Sequence, residues 1–171
     1  HALRQGRAVF LVDPAAKTAI GGGPFDLGET LTRSSLGDLG KAWGVELAPD
    51  AVADAAGALP VPVDAGNGRV EQLAHPLFIG IAAGDMNQDD LITADLSRTV
   101  NFGAPGALQV TSLPERVEVT PLLTTGPSPS FIDAGQAVQD MTPQAVLREY
   151  TTHDGPLTLA ARLSGALETA F

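Results

Sequence analysis

Apolar positions change their rhythm several times along this chain, and each rhythm predicts an element. Residues 7–14 (Arg7-Ala8-Val9-Phe10-Leu11-Val12-Asp13-Pro14) form a continuous apolar run closed by Asp-Pro. A run without alternation suits a strand covered on both faces, as in a parallel sheet, and Pro14 stops it. Gly21-Gly22-Gly23-Pro24 reads as a loop. Beyond it Leu27, Leu31, Ser35, Leu39 and Trp43 recur every four residues, with Leu36 alongside. That stripe predicts an amphipathic helix, ended by Gly44 in a left-handed cap. A strand followed by a helix opens a βα unit.

The next stretch, 45–68, is dominated by small residues and Pro and reads as mostly irregular chain with room for a short strand. Another short strand is expected at 69–73. Residues 76–83 are apolar, and 85–96 read as an acidic turn running into a short helix. Strand-like segments follow at 99–102 and 108–110. At 116–123, Val117 and Val119 alternate with Glu118 and Thr120, the mark of a half-covered strand. Residues 126–130 are rich in turn formers. Thr142-Pro143 caps and starts a short helix reaching Tyr150, with Pro at its favoured first position. Leu157, Leu159, Ala161 and Leu163 then alternate with Thr158, Ala160 and Arg162, another strand. Strands mixed with helices at these spacings predict an α/β class, a layered sheet with flanking helices and long irregular connections. Residues 1–171 form one domain on this reading.

Composition narrows the function more than the fold. Hydrophobic residues make up 44% of the 171, against 18% charged, so a core can form and wholesale disorder is excluded. Twenty acids against ten bases give a formal charge of −10, and the bases are scattered from Arg4 to Arg162. Nucleic acid is not expected as a partner, because phosphate neutralisation needs clustered Lys and Arg. An anionic membrane surface would repel the domain as well. Cysteine is absent, which excludes disulfides, thiolate metal sites and a Cys nucleophile. The apolar run 76–84 is far shorter than the roughly 20 residues of a membrane span, so no direct membrane insertion by this segment is expected. His1-Ala2-Leu3-Arg4 shows neither an initiator Met nor a signal peptide. The chain therefore reads as an excerpt of a larger protein, with any targeting segment or anchor outside it.

Few constellations carry chemistry. Asp85, Asn87 and Asp89 stand at the first, third and fifth positions of a calcium-loop opening, which makes them the metal candidates. However, Asp90 stands where the loop needs Gly, and Leu96 where it needs a bidentate acid. An acidic turn at the start of a helix is the competing reading, and the expectation is no metal. His1, His75 and His153 are scattered, no Gly-x-Ser-x-Gly elbow is present, and surface or turn roles are expected for the histidines. Gly21-Gly22-Gly23 lacks the Gly-Lys-Ser/Thr that a phosphate cradle requires. No cofactor is expected. Two features remain as ligand-site candidates. Asp13 ends the first strand, where ligands of open α/β sheets gather. Thr124, Thr125, Ser128 and Ser130 place four hydroxyls on one loop after another strand. Turn formation is the stronger reading of both features, since Asp-Pro and runs of Ser, Thr, Pro and Gly are what turns and loops are made of.

Several segments resemble, in order, the gliding-motility-associated ABC transporter auxiliary (substrate-binding) component family. They are Gly6 to Pro14; Leu39-Gly40-Lys41-Ala42-Trp43-Gly44-Val45-Glu46-Leu47; His75-Pro76-Leu77; Asp89 to Leu96; Val100-Asn101-Phe102 with Gly106-Ala107-Leu108; Val119 to Thr125; and Gly155-Pro156-Leu157-Thr158-Leu159-Ala160. The match runs through nearly the whole chain, on short and mostly structural motifs. One departure is Pro129-Ser130-Phe131, where the family usually carries an Arg-Ser-Trp-like patch. The resemblance implies a flavodoxin-like or class I glutamine-amidotransferase-like layer without the amidotransferase Cys. It also implies a periplasmic or extracytoplasmic domain of a membrane-anchored parent, with the ABC permease and ATPase of the same system as partners. The expectation is a non-catalytic auxiliary or ligand-binding domain, not an enzyme. The alternative is a degenerate enzyme-like fold keeping a sugar or peptide cleft, and after it a hydrolase.

Overall fold

The computed structural model describes residues 8–15, 34–64, 68–139 and 141–168. Strand accounts for 41% and helix for 16%, and the strands form antiparallel sheets. The α/β expectation, flavodoxin-like or amidotransferase-like, is therefore overturned. A parallel sheet needs crossover connections of about a dozen residues or more, usually helical. Here the α-helices are α1 (Gly37–Trp43), α2 (Ala134–Val138) and α3 (Pro143–Glu149), of five to seven residues. They are too short to form the crossovers of a parallel sheet, and α3 instead packs Val146 into the core with Leu77 of β3.

Five strands, β1 (Val45–Ala53), β5 (Gly106–Val110), β6 (Val117–Thr124), β7 (Ser130–Ile132) and β8 (Thr158–Gly165), form one sheet in the order β6-β8-β5-β1-β7. This sheet curls into half a barrel. The other three, β2 (Ala58–Asp64), β3 (Val70–Ile81) and β4 (Val100–Gly103), form a second sheet in the order β2-β3-β4.

The stretch expected to be irregular holds β1 and β2. Small residues there serve close packing. Ala51 and Ala53 point into one core cluster with Leu77, Ile132 and Val146, while Ala48 and Val52 point into another with Ile79, Ile81 and Leu122. A strand buried on both faces accepts Ala where its neighbours are close. In β2 the prolines fall at alternate positions, Pro60 opposite Ala74 and Pro62 opposite Gln72. Pro lacks an N–H, so both are tolerated only with their nitrogens turned to the outer edge. The two expected pieces at 69–73 and 76–83 are one twelve-residue strand, β3. It carries extra residues opposite the Ala58–Leu59 step, since Ala58 pairs with Ile79 and Leu59 with His75. Past that bulge the buried side chains change cluster, from Leu77 to Ile79 and Ile81.

The run expected to be the first covered strand is not one. Residues 8–15 pair with no strand among the described residues, and Val9 and Leu11 are 87% and 91% exposed. Pro14 instead packs on β5. A Cβ added to Gly106 would lie 2.8 Å from Pro14 Cδ and 2.7 Å from Leu47 Cδ1, so this crossing admits only glycine. Of the helix expected along Leu27, Leu31, Ser35, Leu39 and Trp43, only the last part is helical among the described residues: α1 begins at Gly37, and 34–36, which include Ser35 and Leu36, lie outside it. Gly44 caps it at φ 72° and donates its N–H to the Gly40 and Lys41 carbonyls. Leu27 and Leu31 of the expected stripe, the Gly21-Gly22-Gly23 loop and His1 lie outside the described residues. Thr142 caps α3 through a bond from the Ala145 N–H at 3.2 Å, with Pro143 at its start. The helix expected within 85–96 is absent; a 3-10 turn (Ala83–Asp85) and further turns take its place.

Candidate functional site

β8 bonds to β6 from Val117–Gly165 to Thr124–Thr158, but it meets β5 at a single pair, Leu108–Thr158. Beyond that pair the sheet is split. A depression of about 1230 Å³ opens at the split, lined by residues 159–163 of β8, by Leu108 of β5 and by Leu122 and Phe102. Phe10, Trp43 and Leu47 also line it. Phe10 sets its ring edge-on to Trp43 at 5.5 Å, and the Trp43 indole N–H donates to the Glu168 carbonyl at 2.8 Å. The walls are therefore mostly apolar. Aromatic and aliphatic chains facing an open groove bind other apolar surface rather than a polar solute.

The acidic loop 85–96 forms part of the rim, and its geometry follows from local bonds. Asn87 donates from Nδ2 to the Pro121 carbonyl at 2.9 Å and accepts the Asp89 N–H at 3.0 Å. Asp90, only 5% exposed, accepts the Ile92 N–H at 3.0 Å on one oxygen. Its other oxygen meets Arg162 Nε of β8 at 2.7 Å. The Ile92 N–H, and after it the Arg162 guanidinium, hold the Asp90 carboxyl below its ordinary value of 3.8. Thr93 donates its hydroxyl to the Asn87 carbonyl. The loop is thus tied to β6 and β8 by its own side chains. Asp85 and Asp89 are exposed, and no group of three or more metal-ligating side chains occurs among the described residues.

The other residues singled out from the sequence are placed as follows. Asp13 lines the depression, and its Oδ1 accepts the Ala15 N–H at 2.8 Å in an Asp-Pro turn. Thr124, Thr125, Ser128 and Ser130 lie away from the depression's lining. Thr125 Oγ1 accepts the Leu157 N–H at 2.9 Å, and Ser130 Oγ accepts the Thr151 N–H at 3.0 Å. Ser128 offers its carbonyl to the Tyr150 hydroxyl at 2.7 Å. Asp54 anchors the same corner from beneath: it is 2% exposed and accepts the Gly126 N–H at 2.7 Å and the Ala56 N–H at 2.9 Å. Partial burial raises the Tyr150 phenol above its ordinary value of 10.0, and the nearby Asp54 charge adds to this. Hence Asp13 belongs to the depression, while the four residues lie at a separate corner where the Thr125 and Ser130 hydroxyls are bonded to backbone N–H groups.

His75, expected at the surface or in a turn, is instead buried in β3 and bonds the Met141 carbonyl through Nε2 at 2.8 Å. Its Nδ1 accepts the Leu77 N–H at 3.3 Å, so Nε2 is the protonated nitrogen. His153 sits edge-on to Phe131 at 5.6 Å. Sequence reasoning missed Asp90, Arg162 and the open edge of β8. The alternation at 157–163 revealed the strand, but not which neighbour it would lack.

Fold and depression together define a small antiparallel β protein in which, among the described residues, the split between β8 and β5 borders an apolar hollow. The chain belongs to the ABC transport auxiliary family, described as an ABC-type uncharacterized transport system, whose profile matches residues 1–171. No curated protein and no solved structure matches it.

Proposed function

We propose that this chain is a non-catalytic docking module of an ABC-type transport system. In this reading it works in the extracytoplasmic space beside the system's permease and ATPase. The carrying observation is the open apolar depression at the split between β8 and β5. Family membership supplies the transport context, and the gliding-motility resemblance supplies the extracytoplasmic placement. Two features favour docking over catalysis. The walls are apolar, and the buried polar side chains of the described residues all find hydrogen-bond partners within the protein. A group kept for chemistry is more often left under-satisfied or strongly perturbed.

The test is co-purification. Tagged chain produced together with the ABC permease and ATPase subunits of its transport system should retain both through gel filtration. Retention of neither, with the two subunits still assembling together, would refute the docking role.

A further inference from the structure

We propose that the edge of β8 facing β5, unpaired beyond Thr158 among the described residues, takes an extended segment of a partner protein as an added strand, apolar at alternate positions and flanked by Lys or Arg. This rests on the docking role above and names the chemistry of what docks. Side chains alternate along a strand, so a hollow lying on one face is lined by every second residue. Here five consecutive residues, 159–163, line the hollow. It therefore reaches the edge of β8 as well as the face that β8 shares with Leu122 of β6.

Pro121 determines which backbone groups that edge presents. It has no N–H, stands opposite Ala161, and gives its carbonyl to Asn87 Nδ2 at 2.9 Å rather than to β8. The Pro121–Ala161 pair is thus of the non-hydrogen-bonded kind, and Ala161 turns its own N–H and C=O away from β6. By the same alternation Leu163, opposite Val119, also faces the hollow, while Arg162 and Ser164 bond β6. An incoming strand finds donors and acceptors at 161 and 163, with apolar walls on either side.

The other sheet edges are less open. β2 is blunted by Pro60 and Pro62. The outer side of β6 is occupied by Met86, bridged to Leu123, and by the Asn87 N–H on the Leu122 carbonyl at 2.9 Å. β4 and β7 run for only four and three residues.

Charge selects the occupant. Among the described residues, the charged ones lining the hollow are Asp13, Asp89, Asp90 and Arg162, and Arg162 is held by Asp90. Asp13 and Asp89 remain, with Asp85 and Asp95 exposed on the same loop as Asp89. On a chain of net charge −10, basic flanks are attracted, whereas acidic flanks or a second copy are repelled.

The probe is a short labelled peptide alternating Val and Thr between Lys-Lys flanks, added to the 171-residue chain. Fluorescence anisotropy should show saturable binding that weakens with salt. Glu-Glu flanks, or N-methylation of alternate peptide nitrogens, should weaken it by roughly tenfold or more. Ala161→Pro removes an outward N–H and leaves the β6 bonds, so it should cost a similar factor. Amide exchange provides a check on the unmodified chain. Ala161 and Leu163 should exchange faster than Arg162 and Ser164, then slow when peptide is added. Equal protection of all four amides in the free chain would overturn the proposal, because the edge would already be filled. Sedimentation would then show whether a second copy fills it. Absence of peptide binding, or indifference to flank charge, would overturn it too. Should the permease and ATPase co-purify with the Ala161→Pro chain as with the unmodified one, strand addition fails and the docking role stands. Should the unmodified chain retain neither subunit, the docking role itself fails.

Discussion

Asp90 and Tyr150 show how single side chains tie loops onto this fold, and both are sensitive to pH. Asp90 is held below its ordinary value by the Ile92 N–H and by Arg162. Its contribution is therefore complete above pH 3.8 and is lost as pH falls through the lowered folded value. Tyr150 is raised by burial, so its contribution is complete below pH 10.0 and is lost as pH rises through the raised folded value. Chemical denaturation across pH should show both limbs. Asp90→Asn should lower the melting temperature at neutral pH and flatten the acid limb. Tyr150→Phe should cost about 1 kcal/mol, the donated bond to Ser128, and flatten the alkaline limb. Limbs unchanged in both variants would mean that neither residue anchors its loop. At this scale the sequence was only partly legible. The Asp85-to-Asp90 run was visible as an acidic cluster, but the residue that anchors it was the one that broke the calcium pattern. Its partner Arg162 lies far along the chain, and no local pattern links the two.

Among the elements, β1 was the hardest to foresee. Val45-Glu46-Leu47-Ala48-Pro49-Asp50-Ala51-Val52-Ala53 lacks the β-branched density of a typical strand. It is a strand because β5 and β7 pair with it on both edges and core packs on both faces. Ala51 is fully buried, opposite Gly106 and Ile132. Ala51→Leu should destabilise the fold by about 1–3 kcal/mol through overpacking. An unchanged urea midpoint would show that the sheet has room there. By contrast, β6, β8, α3 and the Gly44 cap follow from local rules. Alternation, an N-cap Thr before Pro and a left-handed Gly all act within a few residues. The run at 8–12 misled for the opposite reason: its apolar pattern is strong, but Pro14 is seated on β5 and the run lies at the depression instead of in a sheet.

For the whole molecule, the arrangement of edges governs how it meets other chains. Pro60 and Pro62 close the edge of the small sheet, whereas the split between β8 and β5 leaves an edge open beside apolar walls. Replacing both prolines, Pro60→Val with Pro62→Val, restores two outward N–H groups. It should produce concentration-dependent association in sedimentation velocity where the unmodified chain shows less. Equal association of the two would mean that those prolines do not guard the edge. Among the described residues no helix is long and apolar enough to cross a membrane.

The sequence by itself determined the strands that alternate, the caps that use Thr, Pro and Gly, the acidity, and the family to which the chain belongs. All of these depend on neighbours within a few residues or on sums over the chain. Only the tertiary structure decided that the sheets are antiparallel, that small Ala and Pro residues form strands, and that β8 meets β5 at a single pair. Strand pairing joins residues far apart in the chain, and how far two strands pair leaves no trace in either one alone.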